Sequence, residues 1–546
     1  MTCLPSSEDL SRPVHQTEYL VNRKNISFLY QHDDGDITRD TRRARGLRRS
    51  LFLALALAAC APNAENMASP APDQPWTPRP DEKGLWSLAG PAKAPPAGAT
   101  PDFAIPPDPA LAALPQTRGI DLGRTYGLAQ LIDIAQQTNP ATRAAWQRAR
   151  QAALAVGMVE ATYLPIITAS AVGGRQQVST PVQDPLGKTV NVTTTEEGTS
   201  QIIALQWLIF DFGQRQALAA AAKQGAHAAN VLFNGAHQRL IFEVAEAYYL
   251  YGAAVQNRGF AETAVANARA VRAAADARQA QGLATSVETA QAVQAVAQAE
   301  LRRVTAEGRE RDAYQALLAA VGVNAPLRID AAAAARRPLP APAKAPIDAT
   351  IRLALARRPD VAASYAALQA SRAGVTAAEA EYLPKVYAGG NMAWGQGDFD
   401  VGGLPSIGQQ GSGTGLLVGV TVPLYESGLR QAQVRQARSR SEEAAEDFRR
   451  VRTATVTEII FARNALTTAL ESHRAASALA RAAATTHDAA LAAYRNGLGT
   501  IDAATAADTA LLDARQAQAD AHTAALVSAV DLAFAVGALT SRDSLP

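Results

Sequence analysis

The sequence is poor in the residues on which most enzymatic and metal chemistry depends. Cys3 and Cys60 are its only thiols, which excludes a disulfide framework or a cysteine-ligated zinc site. Seven histidines are scattered without an H-x-x-x-H or comparable ligand spacing, so no metal centre and no cofactor are expected. Aromatics make up only 5% of the 546 residues, while 48% are hydrophobic. That apolar content is mostly Ala, about a fifth of the chain, a composition that favours long, closely packed helices over a deep aromatic core. An excess of one charge is lacking too: residues 1–59 hold nine Lys/Arg and seven Asp/Glu, leaving 43 of each in the remainder. A neutral body argues against nucleic acid as the main partner. The longest apolar run, Leu51 to Ala61, is too short to span a bilayer as a helix.

That run has the length of the hydrophobic region of a secretory signal. It follows Arg42, Arg43, Arg45, Arg48 and Arg49 and closes with Leu57-Ala58-Ala59-Cys60. The tetrapeptide resembles the lipobox of bacterial lipoproteins, which implies that residues 1–59 are removed and that Cys60 becomes the lipidated N-terminus. Residues 1 to about 45 are too long and too charged for such a signal, and no Met lies between Met1 and Met67, so a start near Leu47 is expected. Ala61, not Asp, follows the Cys, which points to the outer membrane. Residues 60–120 then read as an extended Pro/Ala-rich strap, with Pro70, Pro72, Pro75, Pro95, Pro96, Pro106 and Pro107 among its prolines.

The rest of the chain is duplicated. Asn139-Pro140 and Arg358-Pro359 lie 219 residues apart, as do Tyr163-Leu164-Pro165 and Tyr382-Leu383-Pro384. Gly213 and Gly428, Gly282 and Gly497, and Gly322 and Gly537 are each 215 apart. One architecture repeated with one variable loop accounts for all five landmarks. Residues 121–330 form the first copy, 331–346 a linker, 347–540 the second copy and 541–546 a tail.

Each copy opens with helical patterning over 128–138 and 141–163 in the first copy, ended by Pro165, which disfavours helix in the residue before it. Strands are expected at Ile166–Ser179, Ser200–Phe210, Lys385–Gly395 and Gly415–Tyr425, with polar Gly-rich connections between the members of each pair. Leu416, Val418, Val420 and Val422 alternate with other residues, the period of a strand with one apolar face. After Gly213 and Gly428 come about 65 residues almost free of Pro, roughly 100 Å as continuous helix. Phe448, Val451, Thr455, Ile459, Leu466 and Leu470 trace a narrow coiled-coil seam along the second of these. Gly282-Leu283-Ala284-Thr285 and Gly497-Leu498-Gly499-Thr500 break the helices, and nearly 40 helical residues return. The result is a very long helical hairpin, twice.

With these blocks, the Leu424-Tyr425-Glu426-Ser427-Gly428-Leu429-Arg430-Gln431-Ala432 junction and the Tyr494-Arg495-Asn496-Gly497 turn, the chain resembles the lipidated branch of the TolC, or outer membrane efflux protein, family over residues 121–540. The resemblance implies a membrane α+β fold. A homotrimer shares one 12-stranded outer-membrane β-barrel, four strands per chain, continued by a periplasmic α-helical coiled-coil barrel. It also implies a periplasmic adaptor and an inner-membrane pump as partners, with outer-membrane lipid around the barrel. The tip residues Gly282, Leu283, Thr285, Gly497, Leu498 and Thr500 would meet the adaptor, unless each Leu tucks back against its own hairpin. Glu288, six residues after the tip Gly, matches the family's gate acid. The second copy has Ala503 there, with Asp502 one residue earlier. Tyr494 matches a family position near the gate, or serves simple helix packing.

Two functions follow: a passive outer-membrane exit duct of a tripartite efflux or secretion system, or a lipid-anchored periplasmic coiled-coil spacer without a pore. The duct accounts for two strand pairs at matched positions, which the spacer leaves unexplained. An enzyme is not expected. Asp211, Glu243, Glu246, Glu288, Asp502, Asp508 and Asp513 sit on helical patterning without a partner constellation and read as a solvated face.

Overall fold

The computed structural model describes residues 120–540 apart from 184, 342–345 and 402–404, together with a few positions between 71 and 112. Cys60, the signal region and the 541–546 tail lie outside the described residues, as does most of the strap. Residues 1–114 form a unit of their own, in which β1 (Arg79–Pro80) pairs antiparallel with β2 (Trp86–Ser87).

The second unit, residues 115–546, carries the duplicated element order. Its first half comprises β3 (Thr125–Tyr126), α1 (Leu128–Thr138), α2 (Pro140–Ala161), β4 (Ile166–Gln183), β5 (Thr189–Phe210), α3 (Gln214–Ala280) and α4 (Ser286–Val321). β6 (Arg328–Ile329) and α5 (Ala331–Arg336) lead into the second half: α6 (Ile347–Arg357), α7 (Pro359–Ala380), β7 (Lys385–Val401), β8 (Ile407–Thr421), α8 (Leu429–Arg495) and α9 (Ile501–Ala535). The expected linker therefore contains a helix, α5, whose Ala334 packs onto Gly252 of α3, where a Cβ would collide with it.

The four long strands form one antiparallel sheet in the order β4-β5-β7-β8, so that β4 and β8 are its edges. Strand boundaries differ from expectation. β4 and β5 run on through the polar 180–199 segment to a turn around Gly187, and β7 and β8 take in most of 397–413. Polarity there marks the far end of long strands rather than a loop, because ladder pairing, such as Gln177↔Thr195 and Gln396↔Gln410, holds the backbone extended whatever the side chains. β8 also stops at Thr421, short of the expected Tyr425, leaving Pro423 outside the ladder it could not donate to. At about 3.3 Å per residue, the 22-residue β5 is roughly 70 Å long.

Helix termini supply the breaks. Asn139 Oδ1 caps α2 by accepting from the Ala141 N–H at 2.8 Å, while its Nδ2 donates to the Ala320 carbonyl at 3.1 Å and so joins the start of α2 to the end of α4. In the second copy Arg358 does the corresponding work, donating from Nη1 to the Ala535 carbonyl at 2.8 Å and pairing with Asp360 and Glu458. Its guanidinium sits at the negative end of α9. Between these junctions a core gathers Leu131, Ile132, Val244, Tyr248, Tyr249, Leu317 and Val321, and the parallel β3–β6 pair lies beside it. Beyond it, α3 with α4 and α8 with α9 run as antiparallel hairpins with Ala-rich seams. Small seam residues let helix axes approach closely, at the cost of little apolar area per turn. Thr455, Ile459, Leu466 and Leu470 of the expected seam are buried, Val451 is half-buried, and Phe448 packs on Tyr365 of α7. Among the described residues no helix is long and apolar enough to cross a membrane.

Candidate functional site

The sheet presents what a soluble protein conceals. Every described residue of β4 is exposed, and no described helix covers either face. The half of the sheet nearest the helices is apolar, with Ile166, Ile167, Val172, Ile203, Leu416, Val418 and Val420 all exposed. The far half carries Gln176, Glu196, Glu197, Asp398 and Gln409. Where strands meet helices, Tyr163, Trp207, Phe210, Phe212, Tyr382, Tyr387 and Tyr425 form an exposed aromatic band. An apolar belt ended by aromatics is the signature of a membrane-facing surface, aromatic rings favouring the water boundary.

Two equivalent junctions fasten this sheet to the helices. Phe212 and Gly213 adopt positive φ (52° and 92°), and Ser427 and Gly428 repeat this (52° and 85°), turning the chain sharply from strand into long helix. In the first junction Asp211 Oδ2 accepts from Arg215 Nε at 2.8 Å and from the Arg215 backbone N–H at 3.0 Å. Arg215 Nη1 donates to the carbonyls of Thr162 and Leu208, Nη2 donates to that of Ile209, and the guanidinium lies 4.6 Å from the centre of the Tyr163 ring. One side chain thus ties the end of α2, the end of β5 and the start of α3. In the second junction Arg430 pairs with Glu426 at 2.7 Å.

At the opposite end of the hairpins, both tips use the same caps. Gly282 and Gly497 take φ of 72° and 74°, and the Leu283 and Leu498 N–H groups donate to the Arg278 and Ala493 carbonyls, closing each helix. Thr285 and Thr500 then cap α4 and α9 by accepting from the Glu288 and Ala503 N–H groups. In such caps an apolar residue after the Gly usually folds back onto the helix. Here Leu283 is 64% and Leu498 86% exposed, so neither tucks against its own hairpin.

The candidate gate residues divide. Tyr494 is fully buried between the hairpins with Val271, Ala275, Ala292, Ile501 and Ala504. Arg278, which sequence reasoning missed, stacks 5.1 Å from its ring centre and donates to its carbonyl at 2.9 Å. The Tyr494 hydroxyl has no hydrogen-bond partner among the described residues, and burial, with a smaller contribution from Glu288, raises its pKa against the opposing effect of Arg278. Glu288 thus belongs to the neighbourhood of Tyr494, half-buried on the first turn of α4. Asp502 is exposed on the first turn of α9, and both acids complement the positive ends of their helices.

Two of the acids expected on a solvated face are not there. Asp211 is buried in the junction ion pair, and Asp508 is buried between the hairpins against Asn267 and His487. In each case the partner that makes burial tolerable comes from another turn or another helix. The Asp211–Arg215 and Glu426–Arg430 pairs recur at the 215-residue spacing, a signal that comparison of the two copies contains.

An open, aromatic-edged sheet bolted to two hairpins of roughly 100 Å defines a class of chain that contributes one part of a membrane barrel and of a helical tube. The profile of the outer membrane efflux protein family matches residues 131–323 and 350–538, and the chain belongs to that family. It is 30% identical to protein CyaE of Bordetella pertussis over 261 residues, 47% of this chain and 52% of CyaE. It is 25% identical to outer membrane protein OprJ of Pseudomonas aeruginosa over 318 residues, 58% of this chain and 64% of OprJ. The chain thus spans between half and two thirds of the length of these two relatives. The crystal structure of the Campylobacter jejuni CmeC outer membrane channel shares the fold, with a TM-score of 0.63 and 20% identity over 75% of this chain and 85% of CmeC.

Proposed function

We propose that the protein is a passive exit duct of the bacterial outer membrane, lipidated at Cys60, which an inner-membrane pump loads through a periplasmic adaptor. The observation that carries this reading is the uncovered apolar sheet with two free edges. Within lipid every backbone N–H and C=O must be paired, so a four-stranded sheet has to close with other copies. Three copies give twelve strands, between the side-chain-filled eight-stranded barrel and the water-filled sixteen-stranded one. The hairpins then continue the bore into the periplasm, where Leu283 and Leu498, shaped by Gly282, Gly497, Thr285 and Thr500, offer the adaptor an apolar ring. Glu288, with Tyr494 behind it, lines the constriction, and Asp502 adds charge at its rim. The duct carries no catalytic chemistry. A pore-free spacer would have no use for an apolar sheet edged with aromatics. Reconstitution into planar bilayers tests the reading: the purified oligomer should pass ions in discrete steps, and silent bilayers with inserted, correctly assembled protein would remove the duct and leave the spacer.

A further inference from the structure

The hairpin seams are rich in Ala, Leu and Val, and among the polar links that join the two hairpins one is centred on a buried carboxyl. Asp508 of α9 is buried, and its Oδ1 accepts from Nδ2 of Asn267, on α3 of the other hairpin, at 2.8 Å. His487 of α8, also buried, points Nε2 at the same Oδ1 from 3.5 Å, and its Nδ1 lies 3.2 Å from the exposed Asp488. A cavity of about 50 Å³ adjoins Asp508 between α3, α4 and α9, lined by Ala264, Ala268, Gln298, Arg302 and Thr505 among others, which is room for a water. The remaining charges facing the group are Arg302 of α4, itself 3.3 Å from Asp513, and Arg515 of α9. The duplication makes the cluster conspicuous. At the 215-residue spacing the first copy has Val293 for Asp508 and Arg272, in an exposed pair with Asp276, for His487. The scaffold therefore does not require it.

We propose that Asp508, Asn267 and His487 form an acid-tightened latch between the two hairpins of each chain. Burial raises the Asp508 carboxyl above the usual range, against the opposing effects of the Asn267 bond, His487, Arg302 and Arg515. A raised folded-state pKa means that the closed pair is favoured by protonation. The advantage is complete below the ordinary Asp range and is lost as pH rises through the raised value. A neutral carboxyl keeps the Asn267 bond and sheds a buried charge, whereas ionisation at higher pH loosens the hairpins. In the duct reading, on which only this consequence rests, acidification of the periplasm holds the tube narrow.

Hydrogen exchange of the full-length protein, from the ordinary aspartate range at about pH 4 up to about pH 8, tests the latch, reading segments 264–271 and 505–512 against 240–249 in the same molecules, which cancels the intrinsic pH dependence. The latch segments should open several-fold more than the reference as pH rises, and Asp508→Asn, a fixed stand-in for the neutral acid, should abolish that rise. His487→Asn should move the transition to higher pH, because burial is then less opposed. A flat wild-type ratio overturns the proposal, and so does an Asp508→Asn protein that keeps the wild-type rise. If Asp508→Asn fails to assemble, the wild-type ratio and His487→Asn decide alone. None of these readouts depends on conduction.

Discussion

Replacing Arg215 with Met should destabilise the protein far more than replacing its repeat counterpart Arg430. Both changes keep an apolar stem and delete a guanidinium that pairs with an acid one turn earlier. The Arg215 and Asp211 side chains are 7% and 6% exposed, so the substitution leaves a buried carboxylate without its counter-charge and orphans the carbonyls of Thr162, Leu208 and Ile209. Breaking a buried pair from one side costs about 3–5 kcal/mol. Arg430 and Glu426 are 20% and 37% exposed, and water takes over much of the lost interaction, which holds the loss to about 1 kcal/mol or less. The gap of at least about 2 kcal/mol corresponds to more than tenfold in a folding equilibrium. Thermal unfolding of the detergent-solubilised oligomer, followed by circular dichroism, should show a midpoint shift several times larger for Arg215→Met. Adding Asp211→Asn removes the stranded charge but keeps an acceptor for the backbone N–H at position 215, so the double variant should recover much of the loss. Equal shifts for the two Arg variants, or a double variant no better than Arg215→Met, would refute the assignment of this junction as a buried electrostatic bolt.

Other consequences are open to measurement. Substituting Leu283 and Leu498 together with Asp should leave oligomers in the outer membrane but abolish export and adaptor crosslinking; export that survives in assembled protein would remove the tips from the docking surface. Glu288→Lys should change single-channel conductance or cation preference, whereas unchanged values would confine Glu288 to its helix-end role. Thr285→Ala and Thr500→Ala should each cost about 1 kcal/mol of tip stability, read as faster hydrogen exchange in the first turns of α4 and α9 with the 240–249 core unaffected. Mass spectrometry of protein from its native membrane should find the mature chain starting at a lipid-modified Cys60, and an unmodified thiol there would sink the anchor.

Much of the architecture was legible because it rests on local signals that the duplication doubles. Asn139-Pro140, Tyr163-Leu164-Pro165 and the three pairs of glycines mark breaks in Pro-free helical sequence, and left-handed φ at Gly213, Gly282, Gly322, Gly428, Gly497 and Gly537 explains why those positions are Gly. The outer halves of the strands were not legible, since their polar residues alternate no more than a loop's would and only pairing with a neighbour makes them strands. Buried polar groups were hidden for a related reason. Asp508 looks like any acid on an amphipathic helix, and its burial depends on Asn267, 241 residues away in sequence. Arg278 was invisible because its partner Tyr494 lies on the other hairpin, whereas the Asp211–Arg215 bolt could have been found by aligning it with Glu426–Arg430.

In the duct reading the exposed four-stranded sheet is one third of a closed membrane barrel whose bore continues through the hairpins. Electron cryomicroscopy of the full-length protein in lipid nanodiscs tests it most directly. The expected map shows three copies, β4 of each paired with β8 of the next, twelve strands crossing the bilayer and one continuous cavity narrowing towards Gly282 and Gly497. A sheet that stays open at β4 or β8, or that lies outside the lipid while the hairpins assemble, would contradict it.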